Sequence, residues 1–374
     1  MRLISVLCVE NGLIRLVLSE RSETGYVFYA ENSVPFSGFD NEGFRSSEEV
    51  FEKIRSLYAD TENRYGLTED RAFVLLPGIF YNYDLVENQI RIDGGTVTEK
   101  DVQKLLSSCG KEVRGHLPVE RTPIFYKSFY NPIMYDPIGE KTDSLYVTAS
   151  VGYLRPAVKE LFDNCAKRCL KNFEYCSFPT AVAHNAARFL PEGDKIFIVF
   201  GRGHTDIASC SGRSPIAVTS RFFGYNDVIY SVTDLLNCTD DFADGLIMQS
   251  NLNLAFTPEL KYSFLGNHFP VREVNTRIIE TLLYIASVIA EPVNAYSGEK
   301  ETPVYLTGSD ICSIRGVKEI FEDQIGREIE ILTSDAINLE GCKNFALAGL
   351  CDKINRSVKP NFWEKLLAKI YRRN

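Results

Sequence analysis

The stretch "KIFIVFGRGHTDIASCSG", residues 195–212, decides the fold that the sequence predicts. An apolar run rich in Ile, Val and Phe leads into the glycine-bearing segment "GRGH", and a second short run follows, which is typical of two strands joined by a turn. A further strand, "SPIAVTSRFF", and a helix, "NDVIYSVTDLL", come next. Because glycine has no Cβ, backbone N–H groups at such a turn can approach an anion closely. The stretch therefore predicts a β-β-β-α unit with a glycine-bearing turn between its first two strands.

The same order of elements opens the chain. "RLISVLCV" and "LIRLVLSE" are joined through "ENG", and the dipeptide Asn11-Gly12 is a strong signal for a tight turn between strands. A third strand around "TGYVFYA" and a helix that Ser47 can cap come next. Such internal duplication predicts a two-lobed molecule whose two turns face each other across a cleft.

A segment of different character separates the two units. Residues 82–158 combine extended polar stretches, the short helix "TEKDVQKLLSS" with Thr98 and Asp101 placed as a capping box, and the strand "DSLYVTASVG". This pattern predicts a small inserted α+β subdomain. The amphipathic helix "LRPAVKELFDNCAKRCL" then returns the chain to the first lobe.

Composition excludes several classes of function. The 374 residues are 45% hydrophobic and carry a formal net charge of −9, so we expect a folded protein with a sizeable core. Basic residues form no broad cluster before the tail, which argues against nucleic-acid binding. Ten scattered cysteines and four isolated histidines argue against a disulfide framework, a metal centre and a catalytic dyad. The N-terminus lacks secretory features, so we expect a cytoplasmic protein or one on the cytoplasmic face of a membrane.

Together these stretches resemble the actin-like ATPase fold and, within it, the FtsA family of bacterial cell-division proteins, over nearly the whole chain. "GRGHTDIASCSG" is similar to the family's second phosphate loop, "RFFGYNDV" to its VGGxxxT turn, and "VYLTGSD" to its adenosine-contacting LTGG strand end. "FALAGL" is similar to the helix that returns to the first lobe. The resemblance implies a two-lobed, duplicated ribonuclease H-like α/β fold with an FtsA-type inserted subdomain and a C-terminal amphipathic helix.

The resemblance also implies a division of the chain. First-lobe core is expected at 1–81 and 159–194, the inserted subdomain at 82–158, second-lobe core at 195–229 and 301–340, the outer part of the second lobe at 230–300, the returning helix at 341–357, and the linker with its membrane-targeting helix at 358–374.

Residues that would contact a nucleotide follow from the same resemblance. They lie in the two turns, the VGG-like turn, the AExxK-like helix and the LTGG-like strand end: Asn11, Gly12, Gly201, Arg202, Gly203, His204, Thr205, Gly224, Asp244, Gly308 and Ser309. ATP and Mg²⁺ are the cofactors that this site would take, and the sequence leaves both open.

The chain departs from the family where the family organises Mg²⁺. Cys8 and Val199 stand where the family keeps an aspartate at the end of each lobe's first strand. Glu10 and Arg202 stand at glycine positions of the two phosphate loops. Further departures replace the second glycine of two motifs and both key residues of AExxK: Tyr225, Ser309, Asp244 and Ile247. A site without its metal-organising carboxylates is a poor hydrolase, so the sequence predicts a pseudo-ATPase without catalytic residues.

Glu10 and Arg202 have more than one interpretation. Glu10 could replace the lost carboxylate, because it lies two residues along the same strand end. Arg202 could then offset its charge and bind phosphate. The alternative is that both are exposed charges in a degenerate turn.

The chain ends in "NFWEKLLAKIYRRN", residues 361–374, which holds its only tryptophan. On a helical projection one half is apolar, with Phe362, Trp363, Leu366, Leu367, Ile370 and Tyr371, and the rest carries Lys365, Lys369, Arg372 and Arg373. Fourteen residues span about 21 Å, too short to cross a bilayer but suited to the headgroup layer. We predict a membrane-targeting helix that binds anionic lipids; the alternative is that it packs on its own protein or another one.

The predicted function is therefore an FtsA-like, membrane-tethered adaptor. It would link FtsZ to the cytoplasmic face of the membrane at the division septum and would self-associate as a dimer or filament, with FtsZ docking on about residues 228–300. One alternative is a nucleotide-hydrolysing filament protein in which Glu10 or Asp206 organises Mg²⁺. Another is a PilM-like scaffold of pilus or secretion machinery.

Overall fold

Two sheets of equal topology, with two helices between them, make up the body of the molecule. The computed structural model describes residues 3–22, 25–66, 71–113, 115–254, 259–297, 302–336 and 339–357. The tail, residues 361–374, lies outside the described residues, so its membrane helix stays a prediction.

The first half of the chain builds one lobe and an inserted unit. Its elements are β1 (Leu3–Glu10), β2 (Leu13–Ser22), β3 (Gly25–Pro35), α1 (Ser47–Tyr65), β4 (Arg71–Leu76), β5 (Tyr81–Arg91), α2 (Glu99–Ser107), β6 (Leu117–Lys127), β7 (Ser144–Leu154), α3 (Pro156–Arg168), β8 (Asn172–Ser177) and α4 (Phe178–Ala186). β1 pairs antiparallel with β2 and parallel with β4, which gives a mixed sheet in the order β3-β2-β1-β4-β8.

The second half repeats this plan. Its elements are β9 (Asp194–Phe200), β10 (Thr205–Ser211), β11 (Ser214–Arg221), α5 (Tyr225–Leu236), α6 (Asp240–Met248), β12 (Lys261–Phe264), β13 (Asn267–Pro270), α7 (Val271–Ser297), β14 (Val304–Thr307), α8 (Val317–Ile325), β15 (Ile329–Ile331), β16 (Ser334–Ala336), β17 (Leu339–Gly341) and α9 (Phe345–Ser357). The sheet order is β11-β10-β9-β14-β15, so each lobe has its third, second, first, fourth and fifth strands in the same sequence. The predicted duplication into two lobes is confirmed.

Alternation along the strands sorts the core into layers. Val6 and Cys8 of β1 lie in one buried cluster with Val199 of β9 and with residues of α4 and α9. Leu7 and Val9, on the opposite face of β1, pack against α1 and α3 instead. The two sheets therefore share a core that α4 and α9 fill, and α5, α7 and α8 cover the far face of the second sheet.

The 27-residue helix α7 belongs to that outer layer. Its length and hydropathy would by themselves suit a membrane-spanning helix. One face of it is nevertheless buried in the second lobe, through side chains at helical spacing that include Val274, Ile278, Leu282, Ile285 and Ile289. We therefore interpret α7 as a core helix.

The inserted unit bridges the two lobes. It is an antiparallel sheet in the order β5-β7-β6 with α2 packed on it, and Thr98 and Asp101 form a capping box at the start of α2. Buried Glu120 of β6 accepts hydrogen bonds from Ser177 N at 2.7 Å and Thr180 Oγ1 at 2.9 Å in the first lobe.

On the side of the insert that faces the second lobe, Ser214 Oγ of β11 donates to Pro123 O at 3.0 Å. Ser150 Oγ of β7 donates to the carbonyl oxygen of Pro215. The insert therefore contacts both lobes and fixes their relative position.

Candidate functional site

The first turn, Asn11-Gly12, joins β1 to β2. Gly12 has φ +83°, a left-handed conformation that glycine adopts at no steric cost. Asn11 Oδ1 accepts a hydrogen bond from Phe39 N at 3.0 Å, and Gly12 O accepts one from Phe36 N at 3.1 Å. The chain that follows β3 thus holds the first turn in place.

The second turn, residues 201–204, joins β9 to β10 and is bonded to the start of α5. Tyr225 N donates to Gly201 O at 3.0 Å, and Asn226 N donates to Arg202 O at 2.6 Å. A Cβ at Gly224 would lie 2.5 Å from Gly201 O, so this close approach requires glycine. Helix N-terminal N–H groups of this kind are those that could bind phosphate, and here the turn's own carbonyls take them.

The two turns touch each other. A Cβ built on Gly203 would lie 3.0 Å from Asn11 Cβ and 3.1 Å from Asn11 Nδ2. Asn226 Nδ2 lies 3.9 Å from the place that a Cβ on Gly12 would take, and Arg202 Nε donates to Asn226 Oδ1 at 3.3 Å. In this arrangement a phosphate group does not fit between Asn11 and Gly203.

Arg15 supplies a fixed cation at the end of the first lobe's first strand. It lies directly across the hairpin from Cys8. Its Nε lies 3.6 Å from Glu10 Oε2, and its Nη1 lies 3.3 Å from Glu31 Oε1 and 3.2 Å from Asn344 Oδ1. Burial raises the pKa of the Cys8 thiol to about 12, so the thiol stays neutral.

Glu10 is buried, and the interpretation of an exposed charge is therefore wrong. The physical reason is the hairpin register: Cys8, Glu10 and Arg15 share one face of β1 and β2, so the carboxylate meets the guanidinium. An Asn-Gly turn fixes that register, so the position of Arg15 opposite Cys8 could have been predicted from the sequence.

Asp206 is the charged residue at the equivalent position of the second lobe. It lies directly across from Val199 and is fully buried. Asp206 Oδ2 accepts a hydrogen bond from Gly78 N of the first lobe at 2.7 Å, and Oδ1 accepts one from Ser220 Oγ. Because Gly78 follows β4 of the first lobe, its hydrogen bond with Asp206 joins the lobes. The sequence alone does not predict that Gly78 is the partner of Asp206.

His204 and Thr205 serve the packing of the second turn. The His204 ring lies 5.7 Å from that of Phe39, and its Nε2 lies 3.7 Å from Asp206 Oδ2. Thr205 Oγ1 donates to Phe223 O at 2.7 Å. Both side chains are buried, and the His204 ring packs against the first lobe.

The three remaining predicted residues make their contacts within the second half of the chain. Gly308 N donates to Cys342 O at 3.3 Å, and the buried Ser309 Oγ has no hydrogen-bond partner among the described residues. Asp244 accepts a hydrogen bond from Tyr225 OH; burial and that bond raise the pKa of Tyr225.

The residues present do not fit a magnesium nucleotide. Cys8 is neutral and Val199 is apolar, while Glu10 and Asp206 are engaged by protein groups. Within the described ranges, no three His, Cys, Asp or Glu side chains stand together as a metal site would require.

Solved structures share this architecture. A chain of the PilM–PilN type IV pilus biogenesis complex superimposes with a TM-score of 0.60 at 14% identity, over 96% of this chain and 99% of that one. MreB5 of Spiroplasma citri bound to AMPPNP superimposes with a TM-score of 0.51 at 12% identity, over 100% and 99%. The chain has an actin-like fold.

A third solved structure shares the fold of this chain. The ethanolamine utilization protein EutJ from Carboxydothermus hydrogenoformans gives a TM-score of 0.53 at 14% identity, over 94% of this chain and 90% of that one. No family model and no curated protein sequence matches the chain. The actin-like part of the resemblance is thus confirmed, and its narrower FtsA part remains a prediction.

Proposed function

We propose that this actin-like protein is a scaffold that binds partners and does not hydrolyse ATP. The observation that carries the proposal is the direct contact between Asn11 of the first turn and Gly203 of the second. Phosphate binding between two such turns needs free N–H groups and space for the anion. Here the space is taken by a side chain, and the N–H groups of Tyr225 and Asn226 are bonded to Gly201 and Arg202.

The charges at the site support the same proposal. Arg15 pairs with both Glu10 and Glu31, so Mg²⁺ at this strand end would have to compete with a guanidinium for these carboxylates. A metal bound through Asp206 would have to break its bond to Gly78 and with it a contact between the lobes. Hydrolysis with Glu10 or Asp206 as the metal ligand is therefore the less favoured alternative.

Rigid lobes suit a scaffold. Domain closure around a ligand needs elements that can separate, as in hinge motions. In this molecule Asp206 binds Gly78 across the interface, and the insert bonds to both lobes through Glu120 and Ser214. A partner would therefore meet a surface of fixed geometry.

A PilM-like role in pilus or secretion machinery is the one that the structural comparison favours. The PilM chain was solved as a complex with PilN, and it superimposes on 96% of the present chain. In that role a partner would hold the chain at the cytoplasmic face of a membrane. Residues 361–374, whose sequence combines an apolar half with four basic residues, would add a direct attachment.

An FtsA-like tether is the second candidate, with FtsZ as its partner and the division site as its location. The observation in its favour is the same tail, because an amphipathic basic helix needs no membrane partner. Co-purification with PilN and with FtsZ from the same organism separates the two roles. Retention of neither partner would contradict both.

The scaffold proposal is tested by steady-state phosphate release and by thermal unfolding with and without Mg-ATP. We expect turnover equal to a no-protein control and an unchanged melting temperature, because a ligand stabilises only the protein that it binds. An active actin-like ATPase measured in parallel is the positive control. Mg²⁺-dependent turnover that disappears in Glu10→Ala would overturn the proposal in favour of the hydrolysing alternative.

A further inference from the structure

The far end of the insert exposes a cluster of large apolar side chains. We call it the tip patch; it lies in the loop between β6 and β7 and consists of Phe129, Tyr130, Ile133, Tyr135 and Ile138. Each of these side chains is between 52% and 87% exposed. Contiguous exposed apolar surface of this kind marks an interaction site in soluble proteins.

The loop that carries the tip patch has a fixed shape. Tyr126 and Met134 exchange two backbone hydrogen bonds of 2.7 and 2.9 Å, and Met134 packs on the core of the insert. Glu140 Oε1 accepts hydrogen bonds from Ser128 Oγ at 2.9 Å and from Asn131 Nδ2 at 2.6 Å. The loop is therefore held with its apolar side chains pointing into solvent.

The helix that precedes the C-terminal segment, α9, contacts the first lobe next to the base of the same insert. Lys353 of α9 lies 3.8 Å, Nζ to Sγ, from Cys176, and the next residue, Ser177, donates its N–H to Glu120 at the base of the insert. From Glu120 to Lys127 the strand β6 advances about 23 Å toward the tip patch at 3.3 Å per residue. The residues after Ser357, taken as a short linker and a 14-residue helix, span about 30 Å. The segment is long enough to reach the tip patch.

Two apolar surfaces on one chain within reach of each other bind at a high effective concentration, about 1 mM for a short flexible linker. The apolar half of the tail and the tip patch are such surfaces. An anionic leaflet fits the tip patch less well, because the acidic residues around it outnumber the basic ones by one. The acidic residues there are Asp93, Asp136, Glu140 and Asp143, and the basic ones are Arg91, Lys127 and Lys141. No net positive charge attracts anionic lipid to this end of the insert.

We propose that the tip patch is the docking site of the chain's own C-terminal segment, residues 361–374, and that the protein body thereby competes with the membrane for its anchor. The consequence for membrane binding rests on the proposed attachment of the tail. Docking lowers the fraction of molecules whose tail is free, and the apparent membrane affinity falls by that fraction.

Trp363 is the only tryptophan and reports directly on the tail. We expect its emission in the full-length protein without lipid to be that of a buried indole and to move to longer wavelength in the double variant Phe129→Ser/Ile133→Ser. The matched control is Leu265→Ser, which removes an equally exposed apolar side chain from the second lobe. The control should leave the emission unchanged.

Anionic liposome co-sedimentation of the same three proteins gives the second measurement. The double variant should bind about three- to tenfold more tightly, as expected when two thirds to nine tenths of the tails are docked. Emission that is solvent-exposed in the full-length protein and insensitive to the double variant would overturn the docking proposal, whatever the liposome result. Burial that depends on protein concentration would also overturn it, since the contact would then join two copies.

The docking proposal and the membrane-attachment proposal can be contradicted independently of each other. A wavelength shift in the double variant without liposome binding by any of the proteins supports docking and contradicts membrane attachment. Liposome binding that is equal in all three proteins, with no wavelength shift, contradicts docking and leaves membrane attachment standing.

Discussion

The ends of the first strands of the two lobes occupy equivalent places and have opposite chemistry. In the first lobe Cys8 lies across from Arg15, and in the second Val199 lies across from Asp206. The two sheets have the same strand order, so Arg15 and Asp206 are equivalent positions in a duplicated fold. One carries a buried cation and the other a buried anion.

The two charges are also satisfied differently. Arg15 binds Glu10 and Glu31 within its own lobe and Asn344 before α9. Asp206 binds the backbone of Gly78 in the other lobe. A buried charge is tolerated only with partners, and the comparison shows two ways of providing them. The first strand end has both of its ion pairs within its own lobe, whereas the carboxylate at the second is bonded directly to the backbone of the other lobe.

Placing an aspartate at each strand end should give the largest difference in stability between the two positions. Val199→Asp puts a carboxylate into an apolar cluster and directly opposite Asp206, so we expect a loss of about 3–5 kcal/mol in the free energy of unfolding. Cys8→Asp puts the same group opposite Arg15, and we expect a change within about 1 kcal/mol. Urea unfolding of the two variants measures the difference.

The pH dependence provides the control for that experiment. Burial and the neighbouring Asp206 would raise the folded-state pKa of the carboxyl introduced by Val199→Asp above its unfolded value. The deficit in stability should therefore shrink as the pH falls through that raised pKa. Equal deficits in both variants at neutral pH would contradict the assigned difference between the strand ends.

Removing the buried cation should have the next largest effect. Arg15→Met leaves Glu10 buried beside an apolar side chain, and breaking a buried ion pair on one side costs about 3 kcal/mol. Arg45→Met is the matched control, because the ion pair of Arg45 with Asp40 is exposed and should be worth less than about 1 kcal/mol. Urea midpoints that fall equally in both variants would show that the partners of Arg15 contribute little.

The bond between the lobes should contribute somewhat less. Asp206→Ala removes the acceptor of Gly78 N, and a hydrogen bond to a charged group contributes about 2 kcal/mol. We expect faster hydrogen exchange at the Gly78 amide and a lower urea midpoint. Asp206→Asn retains an acceptor of the same shape and should lose less of both. Unchanged exchange at Gly78 in Asp206→Ala would mean that the bond does not hold the lobes together.

The sequence carries the local features of this site and not its long-range partners. The Asn-Gly turn and the alternation of β1 and β9 predict the strands, the duplication and, through the hairpin register, the pairing of Cys8 with Arg15. The contact of Asp206 with Gly78 joins residues 128 apart and depends on how the lobes dock. No local pattern encodes such docking. The sequence alone allows Asp206 to be a metal ligand, whereas in the structure its carboxylate forms a hydrogen bond between the lobes.

The smallest effect tests the contact on which the proposed function depends. A Cβ at Gly203 would lie 3.0 Å from Asn11 Cβ, closer than side chains normally pack, so Gly203→Ala should destabilise the protein by about 1 kcal/mol through overpacking. Asn11→Gly removes the opposing Cβ and should relieve the strain. In a double-mutant cycle the two changes should therefore couple by about 0.5–1 kcal/mol, as neighbouring residues do. If the turns stood apart in solution, with room for a phosphate between them, the two residues would not share a surface and their effects would simply add. Additive changes in the urea midpoint would thus remove the main support for a scaffold without nucleotide, while coupling would place the contact in the folded protein in solution.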